Sequence, residues 1–379
     1  MNSSKIQILS PGMFTTVQDL GRKGYQSSGV PVSGAMDSYS LRIANKLVGN
    51  DQGSAGLEIT VIGPKIKFLS EQLISITGAD LSPCIDGSPV PCWEALRIAS
   101  GSELTFGEMI NGMRSYIAFA GGIDVPLVMG SRSTYISGQF GGLEGRQLKE
   151  NDVISIIDNL EDTDVFHMPD GFTPRAYGSD HSVRVVLGPQ RDEFDDEAID
   201  MLLNSTFTIS IDADRVGYRL EGVSISHKSG PDILSQGNTL GAIQVSGDGV
   251  PTILMADRGT AGGYAKIATV ISADIPILAQ ALPGDEVRLI AVEIEDAVKA
   301  LHNQESSIDL IDISGPIAKT KLPIKVKVGE QILDIKDVNG HAIMGSIIPV
   351  KKFYSASAKT KDDTQSFNVE LFTENSHDE

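Results

Sequence analysis

Short apolar runs, broken at close intervals by Gly, Pro, Asp and Ser, fill the first 160 positions of the chain. Leu57–Ile62, Leu73–Thr77, Glu94–Ile98, Glu103–Phe106, Met113–Phe119 and Val153–Ile157 each have strand length and strand composition. One segment follows a different period. Met36, Ile43, Ala44, Leu47 and Val48 fall on a single helical face, with Asp37 or Ser38 placed to cap its start and Gly49 to stop it. Periodicity then disappears over Asp158–Gly171, where Asp158, Glu161, Asp162, Asp164 and Asp170 occur without Lys or Arg; this predicts a solvated connection. A second unit starts with the strand Ser182–Leu187, followed by Asp192–Leu203, where Phe194, Ala198, Ile199 and Leu202 return to helical spacing. LKENDVISI (148–156) and LPGDEVRLI (282–290) both place a polar turn and an Asp before an apolar strand, a weak sign that the two units are distant copies. Beyond Asn303, Ile324, Val326 and Val328 alternate with lysines, and a polar tail is expected from Lys359.

These patterns predict a mainly β (α+β) protein. The expected division is a first domain over 1–160, an acidic linker over 161–180, a second domain over 181–303, and a strand-rich appendage with its polar tail over 304–379. A chain of 379 residues exceeds what one hydrophobic core usually serves, and 41% hydrophobic with 21% charged residues is ample for two. The net charge of −19 repels phosphate backbones, so nucleic acid is excluded as a partner. Met1–Leu9 lacks the basic and apolar regions of a leader, and no run is long enough to span a bilayer, which predicts a cytoplasmic protein away from membranes. In that compartment Cys84 and Cys92 are expected to remain thiols.

Standard catalytic signatures are missing. There is no GxxxxGK[ST] loop, no GxGxxG after a strand and no GxSxG elbow, and the six histidines show neither HExxH nor H-x3-H spacing, so no metal site is expected. Four Gly-rich clusters of Arg and Asp stand out instead. PGMFTTVQDLGRKGYQSSGVPVSGAMD (11–37) reads as one long loop, excluded from helix and from buried strand, carrying Asp19, Arg22, Tyr25, Ser33 and Asp37; an arm over a sheet edge is the alternative. RSYIAFAGGIDVPLVMGSRSTY (114–135) adds Arg114, Ser131 and Arg132, whose amides and guanidinium groups suit a carboxylate-like anion, although an ordinary surface turn fits equally. DRVGYRLEG (214–222) and GAIQVSGDGVPTILMADRGTAGGY (241–264) supply Arg215, Arg219, Gln244, Asp257, Arg258 and Tyr264, which structural ion pairs would also explain.

Together with LGPQRDEF (187–194) and the continuation AKIATVISADIPILAQALPGDEV (265–287), these segments resemble, in order, the signature stretches of the family variously called allophanate hydrolase subunit 2, KipA or biotin-dependent carboxyltransferase. The resemblance spans roughly residues 5–295. It implies paired cyclophilin-like β-barrel domains and the role of the C component in an ATP-dependent 5-oxoprolinase, a hydrolase inactive alone that opens 5-oxo-L-proline to L-glutamate. Its implied partners are a KipI-like B component and a LamB/YcsF-like A component. Two alternatives accompany it: a urea carboxylase-like carboxyltransferase whose biotin rides on another protein, and a KipA-like regulator binding an inhibitor of a sensor kinase. Gln236, Ser246, Gly259 and Ala261 depart from the family pattern, where an acid, Pro, Gln and Thr are usual. Lactam opening needs anion-stabilising donors, which selects Arg215 and Arg219, with Asp19, Asp37 and Asp257 for proton transfer or for orienting them, as candidate catalytic residues. Arg22, Tyr25, Arg114, Ser131, Arg132, Gln190, Gln244, Arg258 and Tyr264 are the candidate substrate- or anion-binding residues.

Overall fold

The computed structural model describes residues 4–157, 166–169, 171–174 and 177–311, together with four strands between 324 and 370. The mainly β expectation holds. In the first half, one sheet runs in the order Val153–Ile156, Ser4–Ser10, Lys65–Phe68, Glu103–Phe106, Pro83–Ile85, Ser88–Pro89. A second runs Phe14–Gln18, Gly56–Thr60, Asn111–Phe119, Gln72–Asp80, Ala95–Ile98. Alternation drives their packing: on Ser4–Ser10, Ile6 and Ile8 are buried while Lys5 is exposed. Those two isoleucines join Ile66 and Phe68, and Leu57, Ile59, Ile74, Ile76, Ile117 and Phe119 from the other sheet, in one core.

The second half closes into a barrel in the order Asp180–Leu187, Lys266–Val270, Ala242–Val245, Pro251–Leu254, Gly217–Glu221, Thr206–Ile209, Glu286–Ala291. The closing pair, Asp180–Leu187 with Glu286–Ala291, is parallel, so the seven strands leave no free edge. Inward residues Val183, Val185, Phe207, Ile209, Leu220, Ile243, Val245 and Ile253 fill it. A two-stranded ribbon, Asp232–Gly237 with Ala261–Tyr264, stands apart from this sheet.

Among the described residues, four α-helices complete the first body. Helix α1, Ser38–Leu47, is capped by Asp37, whose Oδ1 accepts from Ser40 N at 2.9 Å. Its Ala44, with Val48 just past its end, packs against Leu73, Ala95 and Ala118 of the five-stranded sheet. Helix α2, Asp196–Asn204, buries Ala198, Ile199 and Leu202 in the barrel core. Helix α3 is Ile275–Ala279, and α4 is Ile294–Asp309. The sequence pattern did not show α4, because only Ile308 of its residues is buried. It docks on α1 through Arg42 Nη1 to Glu305 Oε1 (2.7 Å) and Lys46 Nζ to Ile308 O (2.7 Å).

Three expectations are revised. The segment 11–37 contains the strand Phe14–Gln18, with Thr15, Thr16, Val17 and Gln18 buried. Side-chain bonds make these polar residues compatible with burial: Thr15 Oγ1 donates to Pro11 O (2.7 Å) and Gln18 Nε2 to Thr16 Oγ1 (3.0 Å). Of the acidic connection, 158–165 and 170 lie outside the described residues, but Phe166 and Met168 pack partly buried against Ile43, Leu47 and Trp93. In the separate C-terminal body, Ala318–Glu379, the expected strand Ile324–Val328 pairs with Gln331–Ile335. The polar tail expected there holds another strand, Thr364–Glu370, paired with Phe353–Lys359. Both cysteines are free, and burial, reinforced by Asp80, pushes the Cys92 thiol up to about 12.

Gln280, directly after α3 and 1% exposed, stitches the barrel half to the five-stranded sheet. Its Oε1 accepts from Met113 N (3.0 Å) and Arg114 N (2.8 Å), and its Nε2 donates to Arg114 O (2.8 Å) and Asp37 Oδ2 (2.9 Å). These bonds fall where the register of Asn111–Phe119 against Gln72–Asp80 breaks, so the side chain replaces ladder partners. Gln280→Ala would strand buried groups on both halves and should cost about 2–4 kcal/mol, read as a lower urea midpoint; an unchanged midpoint would show that the stitch contributes nothing.

Candidate functional site

A polar seam runs between the two halves. Glu58 stands in the buried strand Gly56–Thr60, and Arg215 and Asp257 lie side by side at one end of the antiparallel pair Gly217–Glu221 and Pro251–Leu254, just before the first strand and just after the second. Arg215 Nη1 donates to Glu58 Oε1, Nε to Asp257 Oδ2 (2.8 Å), and Nη2 to Asp257 Oδ1 (3.1 Å) and Gly34 O (2.7 Å). All three charged residues are under one-tenth exposed. Burial opposes the Arg215 charge, but Glu58 and Asp257 outweigh it, so its pKa rises above the ordinary value.

The same network extends around Glu58. Its Oε2 accepts from Tyr116 OH (2.8 Å) and Met36 N (2.8 Å), while Tyr116 OH accepts from Asp37 N (2.8 Å). Burial raises the Tyr116 pKa, with Glu58 and Asp37 adding to it, so the phenol remains a donor. Arg114 Nη1 donates to Tyr218 OH and Ala279 O, both at 2.6 Å. Met36 inserts into the barrel core, so the turn 33–37 belongs to both halves. Gly34 is required in that turn: at φ +90°, a Cβ there would lie 2.8 Å from Gly21 N.

A second group gathers at the loop beyond Phe14–Gln18. Asp19 accepts from Ser131 Oγ (2.7 Å) and Gly21 N (2.7 Å), from Arg132 N, and from Ser133 Oγ. Arg22 lies over the Phe140 ring, 4.9 Å from its centroid, and donates through Nη2 to Ser133 O. It is fully buried, yet its Nε and Nη1 have no partner, nor does the buried Ser33 Oγ. Burial lowers the Arg22 pKa against the opposing fields of Asp19 and Asp257. Gly141 closes over this arginine, where a Cβ would come within 2.7 Å of Arg22 Nη2.

A third group occupies the outside of the barrel. Gln190 Nε2 donates to Gln236 Oε1 (2.9 Å), and its Oε1 accepts from Lys266 N (3.1 Å). Gln244 Nε2 donates to Asn238 Oδ1 (3.2 Å). Arg258 donates to Asn238 O and Met255 O, both at 3.2 Å, and burial lowers its pKa against the field of Asp257.

The structure therefore brings Asp37, Arg114, Arg215 and Asp257 into the seam, Asp19, Arg22, Ser131 and Arg132 into the loop cluster, and Gln190, Gln244 and Arg258 onto the barrel face. Tyr264 sits on the ribbon, 43% exposed. The Arg132 guanidinium turns aside to Val125 O (2.9 Å). Arg219 joins none of these groups: it pairs with Asp248 at the surface, both about half exposed. Tyr25 sits at an exposed turn. Sequence reasoning did not select Glu58, Tyr116, Gln280 or Lys266. Glu58 and Lys266 each left a signal, a lone charge in an otherwise strand-like run (LEIT, KIATV). Among the described residues, no group of three or more His, Cys, Asp or Glu is arranged to hold a metal, and no helix is long and apolar enough to cross a membrane.

The carboxyltransferase domain family, subdomain A and B, matches residues 28–291. The C subunit of 5-oxoprolinase from Escherichia coli (strain K12) is 39% identical over 300 residues, covering 79% of this chain and 95% of that protein. The urea amidolyase of Saccharomyces cerevisiae is 34% identical over 324 residues, covering 81% of this chain but 18% of that protein. Among solved structures, the Kluyveromyces lactis urea carboxylase aligns with a TM-score of 0.76 at 31% identity, over 86% of this chain and 32% of that one. The chain thus spans a third or less of the urea enzymes and nearly all of the oxoprolinase component, and it belongs to the carboxyltransferase family of A and B subdomains that includes the C subunit of 5-oxoprolinase.

Proposed function

We propose that the chain is the C component of an ATP-dependent 5-oxoprolinase, which opens 5-oxo-L-proline to L-glutamate together with A and B components. The observation that carries this reading is the match across 95% of the E. coli protein, whereas the urea enzymes contain this region as a small part of a longer chain. The site chemistry agrees. Opening an unstrained lactam places negative charge on the carbonyl oxygen, and donors held ready in a water-excluded site can each contribute about 3–4 kcal/mol to that step. Arg215 and Asp257 commit their polar atoms to one another, to Glu58 and to backbone, Asp37 accepts from Ser40 and Gln280, and Arg114 Nη1 donates to Tyr218 OH and Ala279 O, which suits them to positioning roles. Arg22, with two unpaired buried nitrogens, and the amide-lined barrel face retain donors for a ligand.

A triphosphate needs several cations together, and none of the three groups offers them, so ATP is assigned to the partner components. A carboxyltransferase reading is favoured by the urea carboxylase fold match, and the Gln190 and Gln244 amides would suit the ureido group of a biotin carried by another protein. Streptavidin blotting of the native complex separates the two, since a co-purifying biotinyl protein would favour the transferase.

Two outcomes are expected. Glutamate release from 5-oxo-L-proline and ATP should appear only when the purified chain is mixed with its A and B partners; an A and B pair that is equally active without this chain would refute the reading. Arg22→Met should lower the mixture's kcat/KM by roughly 100-fold while leaving the urea midpoint unchanged or higher, because an unpaired buried cation destabilises the fold. Full activity in that variant would remove Arg22 from the site.

A further inference from the structure

Lys266 opens the barrel strand Lys266–Val270 and pairs across the ladder with Gln244. The neighbours of Gln244, Ile243 and Val245, lie in the barrel core, so Gln244 and Lys266 share the outer face. The ribbon Asp232–Gly237 with Ala261–Tyr264 approaches that face closely: a Cβ on Gly262 would come within 2.5 Å of Gln244 Nε2. Beneath it Lys266 is 2% exposed, and its Nζ has no hydrogen-bond partner. An ammonium group withdrawn from water without a partner costs several kcal/mol, and burial accordingly lowers the Lys266 pKa. Gln190 accepts from Lys266 N and reaches Gln236, while Gln244 reaches Asn238. The other cation nearby, Arg258, bonds only to backbone carbonyl oxygens here.

A fold has no use for such a position by itself, because a methionine would fill the same space without the desolvation cost. A ligand does. A bare ammonium at the base of a shelf of primary amides matches a small acid that also carries an amide: the carboxylate meets the cation, and the glutamines exchange hydrogen bonds with the amide N–H and C=O. We propose that Lys266 Nζ anchors the carboxylate of a small amide-bearing acid on this face, with Gln190 and Gln244 reading the amide; on the oxoprolinase reading, on which the ligand's identity rests, that acid is 5-oxoproline. Lys266 then selects lactam acids over neutral lactams.

The test is isothermal titration calorimetry on the reconstituted complex without ATP, using 5-oxo-L-proline and 2-pyrrolidinone, the same ring without the carboxylate. The wild type should prefer 5-oxo-L-proline by at least about tenfold, the order expected of one charge-assisted bond. Lys266→Met should abolish the preference with an unchanged or higher urea midpoint, Lys266→Arg should keep part of it, and Gln244→Leu should weaken both ligands. Absence of the preference in the wild type, or its survival in Lys266→Met, overturns the proposal. If Lys266→Met fails to fold, equal weakening of both ligands by Lys266→Arg, or no weakening by Gln244→Leu, does the same. Glutamate release in the mixture is scored separately: release with a preference indifferent to Lys266 refutes this site alone, and a Lys266-dependent preference without release refutes the oxoprolinase reading alone.

Discussion

The Arg215 guanidinium, held between Glu58 and Asp257, is the contact on which the rest of the molecule depends. Glu58 comes from the first half, Arg215 and Asp257 from the barrel, and the same guanidinium bonds Gly34 O in the turn that carries Met36 into the barrel core. Three charges withdrawn from water are tolerable only as a set, since removing one leaves the others uncompensated. The seam therefore fixes two β bodies against each other by a geometric demand that apolar packing alone would not impose. Tyr116, Asp37 and Gln280 extend that demand to the start of α1 and to the irregular strand Asn111–Phe119.

Such a framework sorts the polar residues by what they have left to offer. In the seam nearly every donor has an acceptor, and these groups orient their neighbours. At Arg22 and Lys266 the balance is reversed: Nε and Nη1 of the one and Nζ of the other are buried without partners. A protein that maintains such deficits gives up stability at those positions, and functional sites are where that occurs. The rigid seam supports two cation-bearing surfaces, one on the loop beside Phe140 and one on the barrel exterior.

Much of the fold was legible in the sequence because alternation and turn residues speak for strands. Val183 and Val185, within the expected strand Ser182–Leu187, betray their inner face by period alone. The strand Phe14–Gln18 was hidden because Thr15, Thr16 and Gln18 satisfy one another or nearby backbone inside the sheet, so burial there leaves no apolar signature. Helix α4 was hidden for the opposite reason, being held by ion pairs and carbonyl bonds with a single buried residue. For the candidate site, the Gly-rich Arg and Asp clusters contain most of the residues that gather in the seam and the loop group. They could not show that Arg219 ends in a surface pair while Arg215, four residues earlier, is buried, because Arg219 takes the outer face of the strand Gly217–Glu221 whereas Arg215 lies in the bend before it, where alternation does not set a side chain's direction. Glu58, Gln280 and Lys266 acquire their meaning only from partners distant in the chain, or from lacking them.

The central claim is that the buried ion network makes the two halves one cooperative body. Urea unfolding of the full chain tests it most directly when followed by fluorescence of the sole tryptophan, Trp93, buried in the first half, and by amide exchange of Thr206–Ile209 in the barrel. Both probes should report one coincident transition, and in Arg215→Met both should shift together by roughly 3–5 kcal/mol. Two separate transitions in the wild type, or a shift confined to one half in the variant, would contradict the account.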